Sequence, residues 1–277
     1  MFRIGTAIVV VTALLFAALI YVVNFGVWAS RDLVDSAAFS ESAVSALTEE
    51  SSREAIANLV VDEIVEDRPV LALAATPMKG LVADALGNQA FESILVAVAG
   101  RLHASLFDGS ADGITIELSA IRDRVVPVVA GLFPEVAEQL PEDVFEDVVI
   151  VEEGSVPELS PALTTVRRVL WLVLILAVGL GIALFFLIRD RANALLVVGS
   201  SVMLSGLITA FLVPGGRSLT VGSADNPDVE VIVSNLYNSL VNGLKLQSRL
   251  LLLVGVALVV AGYLMKRQTV KPETVPV

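Results

Sequence analysis

Among 277 residues there is no cysteine and a single histidine, which excludes disulfides, thiolate chemistry and a zinc site built on those ligands. A mean hydropathy of +0.82 with 56% hydrophobic residues excludes an ordinary water-soluble globule. The net charge of −12 is concentrated between Ser30 and Val166, where 25 acidic residues face 7 basic ones; a net −18 there argues against a nucleic-acid partner, whose phosphates demand the opposite sign.

Four stretches without an internal charge, Ile4–Ala29, Val169–Ile188, Ala194–Pro214 and Leu250–Met265, dominate the pattern. About 20 helical residues cross the roughly 30 Å hydrocarbon core, so the first three span it directly and the last does so with a turn added at its start. The expected fold class is therefore a mainly α membrane protein with four transmembrane helices and an α-rich extracytoplasmic domain carrying a small β component. Residues 1–29 form an N-terminal anchor and 30–166 the acidic outward domain. Residues 167–193 hold the second span and a cytoplasmic turn, 194–214 the third span, 215–248 a short outward segment with an amphipathic helix, and 249–277 the fourth span and a cytoplasmic tail. Arg3, the Arg189/Arg191 turn, and Lys266, Arg267 and Lys271 mark the cytoplasmic side, so a plasma-membrane protein with both termini inside is expected. Arg167, Arg168 and Arg249 fall on the outer side, where they can snorkel. Val27-Trp28-Ala29 resembles a signal-peptide cleavage site, but the apolar run exceeds a signal core of about 7–15 residues and argues for an uncleaved anchor.

Within the outward domain, residues 36–107 read as helices. Ser51-Ser52-Arg53-Glu54 has capping-box spacing, and Ile56, Leu59, Val60 and Ile64 then share one face. Pro69 stops or kinks that helix. Thr76-Pro77 reads as a cap and first-turn pair, and Gly87 as an end. A longer helix carries Phe91, Leu95, Val98, Leu102 and Leu106 on one stripe and closes at Asp108-Gly109. Gly113–Leu118 and Phe145–Glu152 alternate like strands around a helical stretch, Ser119–Leu140, and that length suits a parallel pair with a crossover. Ser160-Pro161 starts a helix expected to run unbroken into the second span. Gly215–Pro227 reads as a loop. Val231, Leu236, Leu240, Val241 and Leu244 then mark an amphipathic helix that packs on the larger domain or lies at the membrane surface.

The segment ITIELSAIRDRVV, VVIV some 30 residues on, and SPALTTVRRVLWLVL entering the second span resemble a family of uncharacterised actinobacterial integral membrane proteins. That resemblance implies the same order of elements, an N-terminal anchor, a helical extracytoplasmic domain and C-terminal membrane helices. It implies no assigned activity and no catalytic residues.

Candidate chemistry is sparse. Asp108, Ser110 and Asp112, followed by Gly113, match the start of a calcium loop, but position 12 is Ser119 instead of the bidentate Glu; a solvated helix-to-strand turn is the ordinary reading. His103 is expected beside the Leu102/Leu106 stripe, at the boundary of the apolar face and without a role, and Ser105 and Asp108 near it do not make a triad by spacing alone. The acidic run Glu142, Asp143, Glu146, Asp147, Glu152 and Glu153 reads as a soluble surface. No span carries an ionisable group in its core, which disfavours a proton-coupled transporter. Ala177-x3-Gly181, Gly179-x3-Ala183, Ser201-x3-Ser205 and Ala257-x3-Ala261 read as helix-packing faces, within the chain or between copies. The bilayer is the certain partner by composition, with self-association or a membrane-protein partner through those faces. The sequence thus favours a non-enzymatic membrane protein that binds, senses or scaffolds through its outward domain. A transporter or accessory subunit, with Ser200, Ser201 and Ser205 lining a path, and a carboxylate-dependent envelope hydrolase are the rivals.

Overall fold

The computed structural model describes residues 2–67, 69–107, 114–116, 148–151, 160–222, 224 and 226–269. Its elements are helices α1 (Phe2–Trp28), α2 (Ser36–Leu47), α3 (Glu50–Asp67), α4 (Ala75–Leu86) and α5 (Gln89–Phe107), strands β1 (Ile114–Ile116) and β2 (Val148–Val151), then helices α6 (Ser160–Leu187), α7 (Arg191–Val221), α8 (Pro227–Leu240) and α9 (Asn242–Thr269). A π-helical turn, Ala29–Leu33, follows α1, and a 3-10 turn, Pro69–Ala74, precedes α4. The chain divides into two compact units, one of residues 1–30, 164–216 and 241–277, the other of 31–163 and 217–240.

In the first unit, α1, α6, α7 and α9 supply four helices long and apolar enough to cross a membrane, the mark of a multi-pass membrane protein in contact with lipid. Charge-free apolar runs make them helical throughout, because in hydrocarbon only the helix pairs every backbone group within one segment. α7 is central: 44% of its apolar stretch is buried against the rest of the chain, compared with 11–17% for the other three. Their outer faces are correspondingly greasy, with Leu172, Ile175, Phe186 and Phe211 all exposed. Phe16 of α1, Leu184 of α6, and Val198 and Val202 of α7 form the core, with Ile20 and Leu251 packed against it. Tyr21, Phe25 and Trp28 stack along α1 at centroid distances of 6.4 and 5.1 Å, an aromatic group at the end of the span.

α7 and α9 cross in direct backbone contact. A Cβ on Gly199 would lie 2.9 Å from the Gly255 carbonyl oxygen and the Val259 nitrogen; one on Gly262 would lie 2.8 Å from the Ala192 carbonyl, and one on Gly206 3.1 Å from the Ser248 carbonyl. The small residues thus oppose in three levels, Ala192/Gly262, Gly199/Gly255 and Gly206/Ser248, each about two turns apart. That seven-residue spacing is the left-handed helix-crossing repeat. The four-residue spacings have mixed outcomes. Ala177, Gly181, Ser201 and Ser205 are inside, with Gly181 against Phe16, whereas Gly179 meets nothing within 4 Å and Ala183, Ala257 and Ala261 are exposed.

α6 runs unbroken from Ser160, as expected from the Ser160-Pro161 start. α7 departs from expectation: Gly215–Val221 is helix, not loop, and Pro214 sits inside it. Proline's fixed φ is helical, so its cost is the lost hydrogen bond and ring crowding, and α7 continues until the Gly222 N–H closes on the Ser218 carbonyl (3.2 Å).

The second unit pairs α2 with α5 and α3 with α4, and α8 packs on both α2 and α3. Val61, Ala74 and Met78 form its α3–α4 core. α3 does not present the expected stripe: Ser52, Ala55, Ala57 and Val61 are buried and Val60 is 43% exposed. It is contacted by α4 on one side and α8 on another, so the buried positions do not form a single stripe. The capping box is not formed either. α3 starts at Glu50, with the Arg53 N–H on the Glu49 carbonyl (2.9 Å), so Ser51 and Ser52 lie inside the helix. Thr76 likewise is no cap, since α4 begins at Ala75 with Pro77 in its first turn, where a missing N–H costs nothing. Pro69 ends α3, and Gly87 caps α4, as expected.

Ala72–Leu86 and Phe91–Arg101, bent by 69° at the break between them, are together long and apolar enough to cross a membrane, but they carry Lys79, Asp84 and Glu92. β1 and β2 pair antiparallel, with Thr115 opposite Val149 and Ile116 opposite Val148, which corrects the parallel expectation. The 31 residues between them permit either arrangement, and the antiparallel ladder is the more stable per residue. The expected helix at Ser119–Leu140 and the acidic run lie outside the described residues.

Candidate functional site: a buried polar seam

Ser201, Ser205 and Thr209 recur every four residues on α7, so they share one face, and they are 5%, 0% and 1% exposed. Ser248 on α9 and Asn24 on α1 are buried in the same unit. Ser200 points out instead, which removes it from any internal path.

Much of this seam is satisfied locally. The Ser201 hydroxyl lies 3.0 Å from the Val197 carbonyl and 3.1 Å from the Ala13 carbonyl of α1, so its single proton is shared within α7 or donated across to α1. Thr209 donates to the Ser205 carbonyl (3.2 Å) and Ser248 to the Leu244 carbonyl (2.7 Å). Such back-bonding is how hydroxyls are accommodated in spans.

Three atoms are not satisfied: Ser205 Oγ, Asn24 Nδ2 and Gln247 Oε1 are buried without a hydrogen-bond partner. Gly5 and Val9 share a groove with Asn193 and Val197 while Ala13 meets Ser201, so α1 runs parallel to α7; the three α7–α9 levels pair rising with falling numbers, so α9 runs antiparallel to both. Ile20 and Leu251 share the core cluster. Asn24 lies one turn onward from Ile20 in α1, and Gln247 one turn back from Leu251 in α9. Each costs about 1–3 kcal/mol while unpaired. The three are a donor, an acceptor and a hydroxyl, and none of them belongs to an ionisable side chain that could move a proton.

The second unit holds the other polar constellation. Asn235 Nδ2 of α8 donates to Ser51 Oγ (2.7 Å) and Ser52 Oγ (2.9 Å), the Ser239 hydroxyl to the Ser42 carbonyl (2.8 Å), and Asn58 Nδ2 to Asp228 Oδ1 (3.1 Å). Asn226 caps α8 through the Asp228 N–H (2.8 Å), with Pro227 at the first helical position. The serines that spelled a capping box instead hold α8 in place. Tyr237 on α8 has its hydroxyl pKa raised by burial, an effect partly offset by a hydrogen bond with the Arg217 backbone.

His103 is not at a boundary. It is 3% exposed, with rings of Phe39 and Phe107 at 5.5 and 4.6 Å, and Nε2 donates to the Leu33 carbonyl (3.1 Å), leaving Nδ1 buried without a partner. The pairing of α2 with α5 covers a helix face that spacing alone leaves half open. Asp108, Ser110 and Asp112 lie outside the described residues. Among the described residues, no group of three or more His, Asp or Glu is placed to hold a metal.

Sequence reasoning missed that Asn24 Nδ2 and Gln247 Oε1 are both buried without a partner, because polar residues near span ends are common. Comparison with protein-family models, curated proteins and solved structures returned no match.

Proposed function

We propose that this multi-pass membrane protein acts without catalysis, as a binding or scaffolding module whose second unit faces outward, with both termini in the cytoplasm. One observation carries the reading: α8, from a chain segment more than 100 residues downstream, is bonded back onto α2 and α3 through Asn235, Ser239 and Asp228. Two segments that leave the membrane separately close into one folded body, as a receptor or scaffold surface requires. The basic Arg189/Arg191 turn and the Lys266/Arg267 end support the orientation.

Because the chain has no cysteine, single-cysteine variants report topology without background. A membrane-impermeant maleimide applied to intact cells labels Glu54→Cys and spares Asp190→Cys if the orientation is right; the reverse pattern refutes it. A partner that co-purifies in fixed stoichiometry, and is lost with Asn235→Ala, supports scaffolding. Turnover of a substrate abolished by one carboxylate substitution refutes it.

A transporter or accessory role is the second reading, favoured by the unpaired Asn24, Ser205 and Gln247 atoms. It requires that Ser205→Cys react with small water-borne reagents.

A further inference from the structure

At the end of the membrane unit opposite Trp28, an open groove of about 740 Å³ is lined by Gly5, Thr6, Ile8 and Val9 of α1, Leu187 and Ile188 at the end of α6, and Asn193 and Val197 of α7. Its walls are mostly apolar and its volume falls in the range of about 300–1,000 Å³ that holds small-molecule ligands. Gly5 borders open space, since a Cβ there would meet nothing within 4 Å. Ile8 and Leu187 are each about half exposed along it.

The mouth is basic. Ile188 and Asn193 of the lining bracket the turn that carries Arg189 and Arg191, both exposed. α9 brings Lys266, whose Nζ lies 3.3 Å from Asn193 Oδ1, with Arg267 next in the chain. The one carboxylate among these groups, Asp190, is engaged by the Ala192 N–H at 3.0 Å as the cap of α7. Lys266 on Asn193, and Arg189 and Arg191 in the turn between Ile188 and Asn193, thus put basic residues beside the end of an apolar slot, with one capped carboxylate among them. An acyl chain fits the slot, and a negatively charged headgroup fits its mouth.

We propose that this groove binds an anionic phospholipid, with one acyl chain along Ile8, Val9, Leu187 and Val197 and the headgroup phosphate held by Lys266 and Arg191. Asn193 and Thr6 face the region between tail and headgroup, where the ester groups of a phospholipid lie. A zwitterionic lipid offers the same tail but cancels the charge at the mouth. Basic pockets between spans are the recurrent form of anionic headgroup recognition. The inference is independent of what the outward unit binds.

The test uses the full chain in detergent, offered phosphatidylglycerol or phosphatidylcholine, with retained lipid counted by native mass spectrometry. Phosphatidylglycerol is expected to be retained in preference. Lys266→Gln and Arg191→Gln are each expected to weaken that retention about fivefold while leaving phosphatidylcholine unchanged. Gly5→Leu fills the groove without a helix penalty; it is expected to abolish phosphatidylglycerol retention with no drop in the thermal transition. Equal retention of the two lipids, or undiminished retention in Gly5→Leu, would overturn the assignment.

Discussion

Replacing Gly199 by alanine tests the central crossing of the membrane unit. The new Cβ would sit 2.9 Å from the Gly255 carbonyl oxygen, the Val259 nitrogen and the Leu258 Cβ. Two of those three atoms are backbone, so no side-chain rotation relieves the clash; α7 and α9 must separate to restore contacts of about 3.5–4.0 Å. Overpacking of this kind costs about 1–3 kcal/mol. Alanine's better helix propensity returns about 1 kcal/mol. The net expectation is a loss of about 0–2 kcal/mol, a fall of up to about 8 °C in the thermal transition of a chain this size. Gly179→Ala is the matched control: its Cβ meets nothing within 4 Å, so only the propensity term acts and the transition should hold or rise. Both are read by thermal unfolding in detergent, followed by intrinsic fluorescence. If the two variants shift the transition alike, α7 and α9 are not in backbone contact at Gly199 and the three-level seam is wrong.

Asn235→Ala removes both hydrogen bonds to Ser51 and Ser52 and strands the fully buried Ser52 hydroxyl. A cost of about 1–3 kcal/mol is expected, seen as faster amide exchange in α8 while α9 stays protected. Ser205→Ala deletes a buried hydroxyl that has no partner, so stability should be unchanged or rise by about 1 kcal/mol in thermal unfolding; a clear loss means that water or a ligand occupies the seam. The Tyr237 hydroxyl has its pKa raised above the ordinary 10.0 by burial, so its contribution is complete below pH 10 and fades as the pH climbs through the folded value. The difference in stability between the protein and Tyr237→Phe should therefore be flat at neutral pH and change only under alkaline conditions; a change below pH 9 contradicts it.

Local pattern was enough for much of the architecture. Charge-free runs determine membrane helices by themselves, because hydrocarbon leaves a chain no other way to pair its backbone groups. Pro69 and Gly87 act within their own turns and ended helices where the sequence placed those ends. Ser160-Pro161 likewise began α6.

Reading failed where a residue's role depends on something distant in the chain. Ser51 and Ser52 carried a capping pattern, yet Asn235, 184 and 183 residues away, claims their hydroxyls and the helix starts earlier. His103 read as a boundary residue until Phe39 of α2 and the Leu33 carbonyl of the preceding turn covered it. Pro214 looked like the end of a span, but its φ is compatible with helix and α7 ran on. Small residues four apart suggested packing faces, of which some point outward, while the contact that matters repeats every seven because two helices must keep meeting along their length. Composition and periodicity thus picked out the segments that form helices long and apolar enough to cross a membrane, since that property rests on each segment's own residues. Only the tertiary structure decided which hydroxyls are paired and which glycines touch, because a hydrogen bond or a close backbone approach belongs to two segments at once.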